Sequence, residues 1–231
     1  MHLLKNKNKI YFYIISLLFL TTVINTELSE ILKKNFLVIN IKVKTNLTQI
    51  DNIILEKTKD LINKNIFLIN KDEILDHLND LNFLENINIK KIYPSTIIIQ
   101  ANKTKLIGST YMDNNKYFLG ANGKFILSNK LSNTKKLPII FGKFDTSNFL
   151  SLIKKLENQN INHTSITNYY FHKNKRWDLY FEDNILLKLP NNDIDMAIKI
   201  YKEAQKLNKI KSNSVIDLRI PNRLIISNGK K

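Results

Sequence analysis

The chain has 231 residues, 43% of them hydrophobic and 10% aromatic, with a formal net charge of +16. That is enough apolar material for one or two small folded domains, which excludes wholesale disorder. Cysteine is absent, which removes disulfides, thiolate metal sites and cysteine nucleophiles, and the lysines are scattered, so the charge reads as a solvated surface rather than a nucleic-acid footprint.

Lys5, Lys7 and Lys9 precede an uncharged run from Ile10 to Thr26, and Glu27 and Glu30 follow it. A run of about 17 residues is the lower end of what spans a bilayer. It is apolar all round rather than on one stripe, and no small-x-small cleavage site follows. The run predicts an uncleaved transmembrane helix over 10–26. By the positive-inside rule, residues 1–9 form a cytoplasmic tail and the rest of the chain is exported. Residues 27–36 read as a polar linker.

From 37 to 102 the hydrophobic period alternates between strand and helix. Ile39, Ile41 and Val43 alternate with Asn40, Lys42 and Lys44, a half-buried strand whose apolar side faces the helices. Thr48 with Asp51 opens a helix with Ile50, Ile54, Leu61 and Ile62 as its stripe, and Asn70 with Glu73 opens a second one carrying Ile74, Leu78 and Leu81. Two strands follow, Ile87–Ile92 and Thr96–Ala101, turned at Tyr93-Pro94-Ser95, where proline's missing N–H does no harm. The order is β-α-α-β-β.

Residues 103–231 carry short strands and two helices. A first strand is expected around Lys103–Gly108. Tyr117–Leu119 and Lys124–Leu127 flank a glycine-bearing turn, and Leu137–Gly142 is a short apolar strand. Phe149, Leu152, Ile153 and Leu156 mark a helix over Thr146–Gln159. Strands over Ile166–His172, Arg176–Phe181 and Ile185–Leu189 precede a helix over Asp193–Leu207 with Ile194, Ala197, Ile198, Tyr201 and Ala204 on one side. The chain closes with strands Val215–Ile220 and Leu224–Ser227. The fold class is α+β: an N-terminal transmembrane helix, a β-α-α-β-β domain, then a mixed antiparallel β-sheet domain with two helices.

Nothing in the sequence spells catalysis. His2, His77, His163 and His172 lie far apart, no carboxylate stands in catalytic spacing with a histidine, serine or lysine, and glycine-rich phosphate loops are absent. No catalytic residue, metal ligand or cofactor is expected. The informative cations are the three arginines of a lysine-rich chain, Arg176, Arg219 and Arg223, because a planar multi-donor cation serves recognition where lysine does not. Alternation places Ile216, Leu218 and Ile220 on a core face and Val215, Asp217 and Arg219 on the other. In the 176–181 strand it turns Trp177 inward and Arg176, Asp178 and Tyr180 outward.

The 37–102 order with its tight Tyr-Pro turn resembles a polypeptide-transport-associated (POTRA) domain. Four phrases then stand in fixed order behind one N-terminal anchor: Lys91-Ile92-Tyr93-Pro94, Leu137-Pro138-Ile139-Ile140-Phe141-Gly142, Arg176-Trp177-Asp178-Leu179 running to Leu189-Pro190, and Ile216 to Arg223. That order resembles the FtsQ/DivIB family of bacterial cell-division proteins from residue 10 to residue 228. The strand around Lys103–Gly108 lacks the family's common Glu-Arg pair, and the cytoplasmic tail is short. The resemblance implies a single-pass type II protein of the bacterial inner membrane, with its bulk in the periplasm and enriched at the division septum. It implies a non-enzymatic divisome scaffold linking early and late division proteins. Its partners would be the FtsB (DivIC) and FtsL proteins and, through them, the septal peptidoglycan synthase machinery, with no nucleic acid. The partner-binding positions it implies are Arg176, Val215, Arg219, Ile220, Arg223, Leu224 and Ile226, with Trp177, Pro94 and Pro190 structural. The alternative is a POTRA-containing periplasmic transport or assembly factor, a class that usually carries repeated modules and a β-barrel.

Overall fold

A computed structural model describes residues 4–22, 34–46, 48–131 and 136–228. The expected transmembrane residues 23–26 and linker residues 27–33 lie outside the described residues. Helix α1 covers Leu4–Thr22. Its large apolar side chains from Ile10 to Leu20 are exposed on all sides. Its first six residues include Lys5, Lys7 and Lys9, and among the described residues no helix is long and apolar enough to cross a membrane.

The chain divides into two compact units, residues 1–80 with 86–101 and residues 81–85 with 102–231. In the first, β1 (Asn40–Lys44), α2 (Thr48–Lys57), α3 (Lys71–Leu78) and most of β2 (Leu84–Ile92) and β3 (Thr96–Lys103) follow in order. The sheet order is β1-β3-β2, with β1 parallel to β3 and Ile41 opposite Ile97. Ile50, Ile54, Leu61, Ile74, Leu78, Ile97 and Ile99 are buried. The start of α3 uses half of the expected capping box: Asn70 makes no side-chain cap, while the Glu73 carboxylate accepts from the Asn70 N–H and pairs with Lys64 at 2.9 Å.

Two inward expectations fail here. Ile39 is 65% exposed, because regular pairing begins only at Asn40, and Val38 takes the buried place instead. Ile62 is 39% exposed, because α2 ends at Lys57 and the chain continues as a 3-10 turn over Lys59–Leu61, which breaks the helical stripe.

The second unit is a nine-stranded mixed sheet of order β12-β11-β10-β9-β8-β7-β4-β5-β6. Its members are β4 (Leu106–Met112), β5 (Asn115–Gly120), β6 (Phe125–Leu127), β7 (Ile139–Phe141), β8 (Ile166–Phe171), β9 (Trp177–Phe181), β10 (Leu186–Lys188), β11 (Ser214–Asp217) and β12 (Ile225–Asn228). The first strand starts later and runs further than expected, and it turns into β5 through Asp113-Asn114, both with positive φ, as a tight hairpin requires. Parallel pairs need crossovers. Helix α4 (Thr146–Asn158) carries β7 to β8, and α5 (Ile194–Lys206) carries β10 to β11. The apolar stripes of both helices join one core with Leu119, Ile140, Tyr169, Trp177, Leu179, Leu187 and Ile216.

Ile54 is fully buried, so Ile54→Ala should cost ~2–5 kcal/mol in the first unit, whereas Ile39→Ala should be close to neutral, read by denaturant titration. In the second unit His163 is buried with Nδ1 unpartnered. Burial lowers its pKa, Lys105 adds to that, and Glu157 opposes. The unfolded state then takes up the proton first, so stability should be full above about pH 6.5 and fall as pH drops below it. His163→Gln should flatten that slope in parallel melts at pH 7 and pH 5.

Candidate functional site

β10 and β11 run parallel, with Leu186 opposite Val215, Leu187 opposite Ile216 and Lys188 opposite Asp217. Their C-terminal ends therefore lie side by side. Leu189 donates its N–H to the Trp177 carbonyl at 2.9 Å, and Leu218 donates to the Lys188 carbonyl at 3.0 Å. Beyond these bonds the chains part. Pro190 leads through Asn191 and Asn192 to Asp193, whose positive φ turns the backbone into α5, while Arg219 leads into a turn closed by the Arg223 N–H on the Ile220 carbonyl. Asn222 holds the left-handed position of that turn.

The space between the two exits is a groove of about 520 Å³. All three arginines of the chain line it, together with Pro190 and Ile220. Its α5 wall supplies Met196, Ala197 and Ile200, with Leu218 below. Met196 is 52% exposed and Ile220 47%, so the groove offers apolar contact beside cations. Ile220 was expected on the core face. The strand ends at Asp217 and the chain turns, so only Ile216 and Leu218 remain buried.

Arg219 is held by Asp217. Its Nε donates to both carboxylate oxygens at 2.8 and 2.9 Å, a terminal nitrogen pairs with Oδ2, and the Arg219 backbone N–H donates to Oδ1 at 3.0 Å. These side-chain bonds hold the Asp217 carboxyl below its usual range, helped by the charges of Arg219 and Lys188 and opposed by partial burial. Across the groove, the Nε of half-buried Arg176 has no hydrogen-bond partner. Its strand neighbour Asp178 has Oδ2 at 2.9 Å from His172 Nε2, an ion-pair distance in poor hydrogen-bond geometry, and Oδ1 unpartnered.

The remaining sequence-predicted positions lie around this groove or away from it. Val215 is half-buried on β11 and Leu224 packs partly on the core. Ile226 is exposed on β12, the last strand of the sheet, where all four residues are exposed. Trp177 is 2% exposed and sits among Phe144, Phe149, Tyr169 and Phe171. Pro94 lies in the β2–β3 turn of the first unit, after a cis peptide bond. Sequence reasoning missed Met196 and Ile200. Their only signal is being large and apolar off the main α5 stripe.

Residues 110–219 match the family described as cell division protein FtsQ/DivIB, C-terminal. The cell division protein FtsQ of Rhizobium radiobacter is 21% identical over 148 residues, which is 63% of this chain and 70% of that protein. The protein of the same name from Agrobacterium fabrum (strain C58) is also 21% identical over 148 residues, and there the chain spans about half, 47%, of the relative. Among solved structures, the major extracytoplasmic domain of the trans isomer of the cell division protein DivIB from Geobacillus stearothermophilus is 15% identical, with a TM-score of 0.30, over 47% of this chain and 98% of that one.

The Arg219–Asp217 pair is solvent-facing, with the arginine side chain 37% exposed. Arg219→Ala should therefore lower stability by no more than ~1 kcal/mol. Chemical denaturation checks this, and a larger loss would make Arg219 a structural residue.

Proposed function

Since the chain belongs to the FtsQ/DivIB family of cell-division proteins, we propose that it is a division scaffold that binds an extended segment of an FtsB-like partner along β12 and the arginine-lined groove. The partner arrives as part of an FtsB/FtsL-like pair, and the complex links early and late division proteins to the septal peptidoglycan synthase machinery. Helix α1 anchors the chain in the inner membrane with its N-terminus cytoplasmic. The β-α-α-β-β unit serves as a POTRA-like module outside, and the protein works by binding rather than by catalysis.

The observation that carries this reading is the convergence of Arg176, Arg219 and Arg223 on one groove in a chain that otherwise uses lysine. Beside it, β12 ends the sheet with four exposed residues. An open strand edge offers backbone donors and acceptors to an added strand, which supplies affinity, while neighbouring side chains set specificity. The guanidinium fork suits a partner carboxylate or aromatic plane. The exposed side chains of α1 from Ile10 to Leu20 support the anchor, since lipid removes them from water.

Adjacent residues of an antiparallel edge strand direct their N–H groups to opposite sides. Of Ile226→Pro and Ser227→Pro, one removes an N–H aimed at β11 and the other an N–H aimed away from the sheet. The second kind should retain its melting temperature and lose the partner segment. Arg219→Glu should weaken the complex sharply, because it sets like charge against an acidic partner, with only a small drop in melting temperature from losing the pair with Asp217. Affinity by calorimetry and melting curves on the same samples decide the matter. If Arg219→Glu binds as tightly as the parent, the groove is not the binding site.

A further inference from the structure

At the end of the first unit where the chain arrives from α1, three segments bring apolar side chains together in the open. The Phe36 and Phe67 rings lie 4.8 Å apart, and Tyr93 stacks on Phe67 at 4.8 Å and 19°. The backbone fixes this grouping. Ile66 donates its N–H to the Phe36 carbonyl at 2.8 Å, and Ile39 donates to the Ser95 carbonyl at 2.9 Å. In the same three segments Phe67 is 53% exposed, Leu68 76%, Tyr93 53%, Ile92 49% and Ile39 65%. Exposed apolar side chains gathered in this way mark a surface that something covers.

We propose that this face seats in the interfacial layer of the bilayer, an inference that rests on the reading of α1 as the membrane anchor. The tether limits where the face can go. Residues 23–33 separate Thr22 of α1 from Lys34, and a fully extended chain of that length reaches no more than ~40 Å. The side chains fit the environment. Phenylalanine and leucine prefer the acyl boundary, and tyrosine keeps its hydroxyl at headgroup level. The face is made of the Phe67-Leu68 loop tip, the Tyr93-Pro94 turn and the arriving segment, so it presents side chains rather than a row of backbone donors. That favours lipid over an added strand. Of the two acidic residues that follow the loop tip in sequence, Asp72 is exposed and Glu73 is paired with Lys64 at 2.9 Å. Lys34, Lys71 and Lys90 are exposed on the same segments or next to them, with ammonium groups on flexible stems suited to lipid phosphates. The Lys91 ammonium is already committed to the Ile69 carbonyl. Seating this face would orient the first unit against the membrane rather than leaving it free on its tether.

The absence of cysteine makes the test direct. Full-length Ile15→Cys, Leu68→Cys and Asn79→Cys variants each carry one label when reconstituted in phosphatidylcholine–phosphatidylglycerol vesicles. Spin-labelled lipids then quench according to depth. The Ile15 label should lose its fluorescence to a mid-chain spin label. The Leu68 label should shift to the blue and be quenched by a headgroup-level spin label. The Asn79 label, on an exposed residue just past the far end of α3, should respond only to an aqueous quencher. If Ile15 is quenched while Leu68 behaves like Asn79, the anchor stands and the seating is wrong; the face then belongs to a protein partner. Shielding of Leu68 that appears only at high protein-to-lipid ratio assigns the face to a second copy and overturns the proposal. Failure of Ile15 to quench overturns the anchor and the seating with it.

Discussion

Leu187 opposite Ile216 and Lys188 opposite Asp217, two strands running the same way, fix where the chain leaves the sheet twice at one level. An antiparallel pair would send those exits to opposite ends and leave Arg219 far from Pro190. Parallel pairing also demands a crossover, and α5 supplies it, covering the core face and then forming one wall of the groove. The same geometry thus creates the gap, its wall and its cations. The energies divide accordingly. Fully burying a side chain such as Leu187 or Ile216 stabilises by about 1.5–3 kcal/mol, while an exposed ion pair contributes ~0–1 kcal/mol. The core holds the frame, and the groove's charges are largely free of that task.

That freedom is partial at Arg219. Its fork is already occupied by Asp217, which stays ionised beside it. A carboxylate brought by the proposed partner has to compete with Asp217 for that fork. Arg176 differs, because its Nε is buried and has no hydrogen-bond partner among the described residues. A buried donor left unmade costs about 1–3 kcal/mol. Of the two arginines, Arg176 therefore carries the unmade donor, while Arg219 is already paired.

Much of the second unit was legible because its periods are clean. The stripes of α4 and α5, and the alternation that turns Trp177 inward, follow from which positions can share a face. What failed lies at ends. Ile39 and Ile220 continue an alternating pattern past the last paired residue, where no neighbouring strand holds the side chain in phase. The β4–β5 turn was hidden because an Asp-Asn pair such as 113–114 does not by itself mark a turn: Asp51-Asn52 lies inside α2. The groove itself joins residues 176 to 223 through sheet order and a crossover, and no local period encodes that. Arginine scarcity found its cations, whereas exposed Met196 gave no comparable signal.

The chain's composition shows where geometry sets a limit. It has five glycines, and positive φ is instead taken at Asn63, Asn86, Asn114, Asn160, Asn184, Asn208, Asn213 and Asn222. Asparagine tolerates the left-handed region better than other side chains with a Cβ. Asn160 and Asn208 do glycine's usual work after α4 and α5, where the next N–H reaches back to Leu156 at 2.9 Å and to Ala204 at 3.1 Å. Gly142 is different in kind, since a Cβ there would meet the Phe171 carbonyl oxygen at 2.2 Å. Conformation alone can be met by asparagine; lack of space cannot. Lysine and arginine divide in the same way. A lysine supplies charge wherever charge suffices, but its single ammonium cannot reproduce the Nε and terminal-nitrogen fork that Arg219 lays on Asp217. Arg219, like glycine at 142, stands where a shape is required, and it shares its groove with the chain's other two arginines.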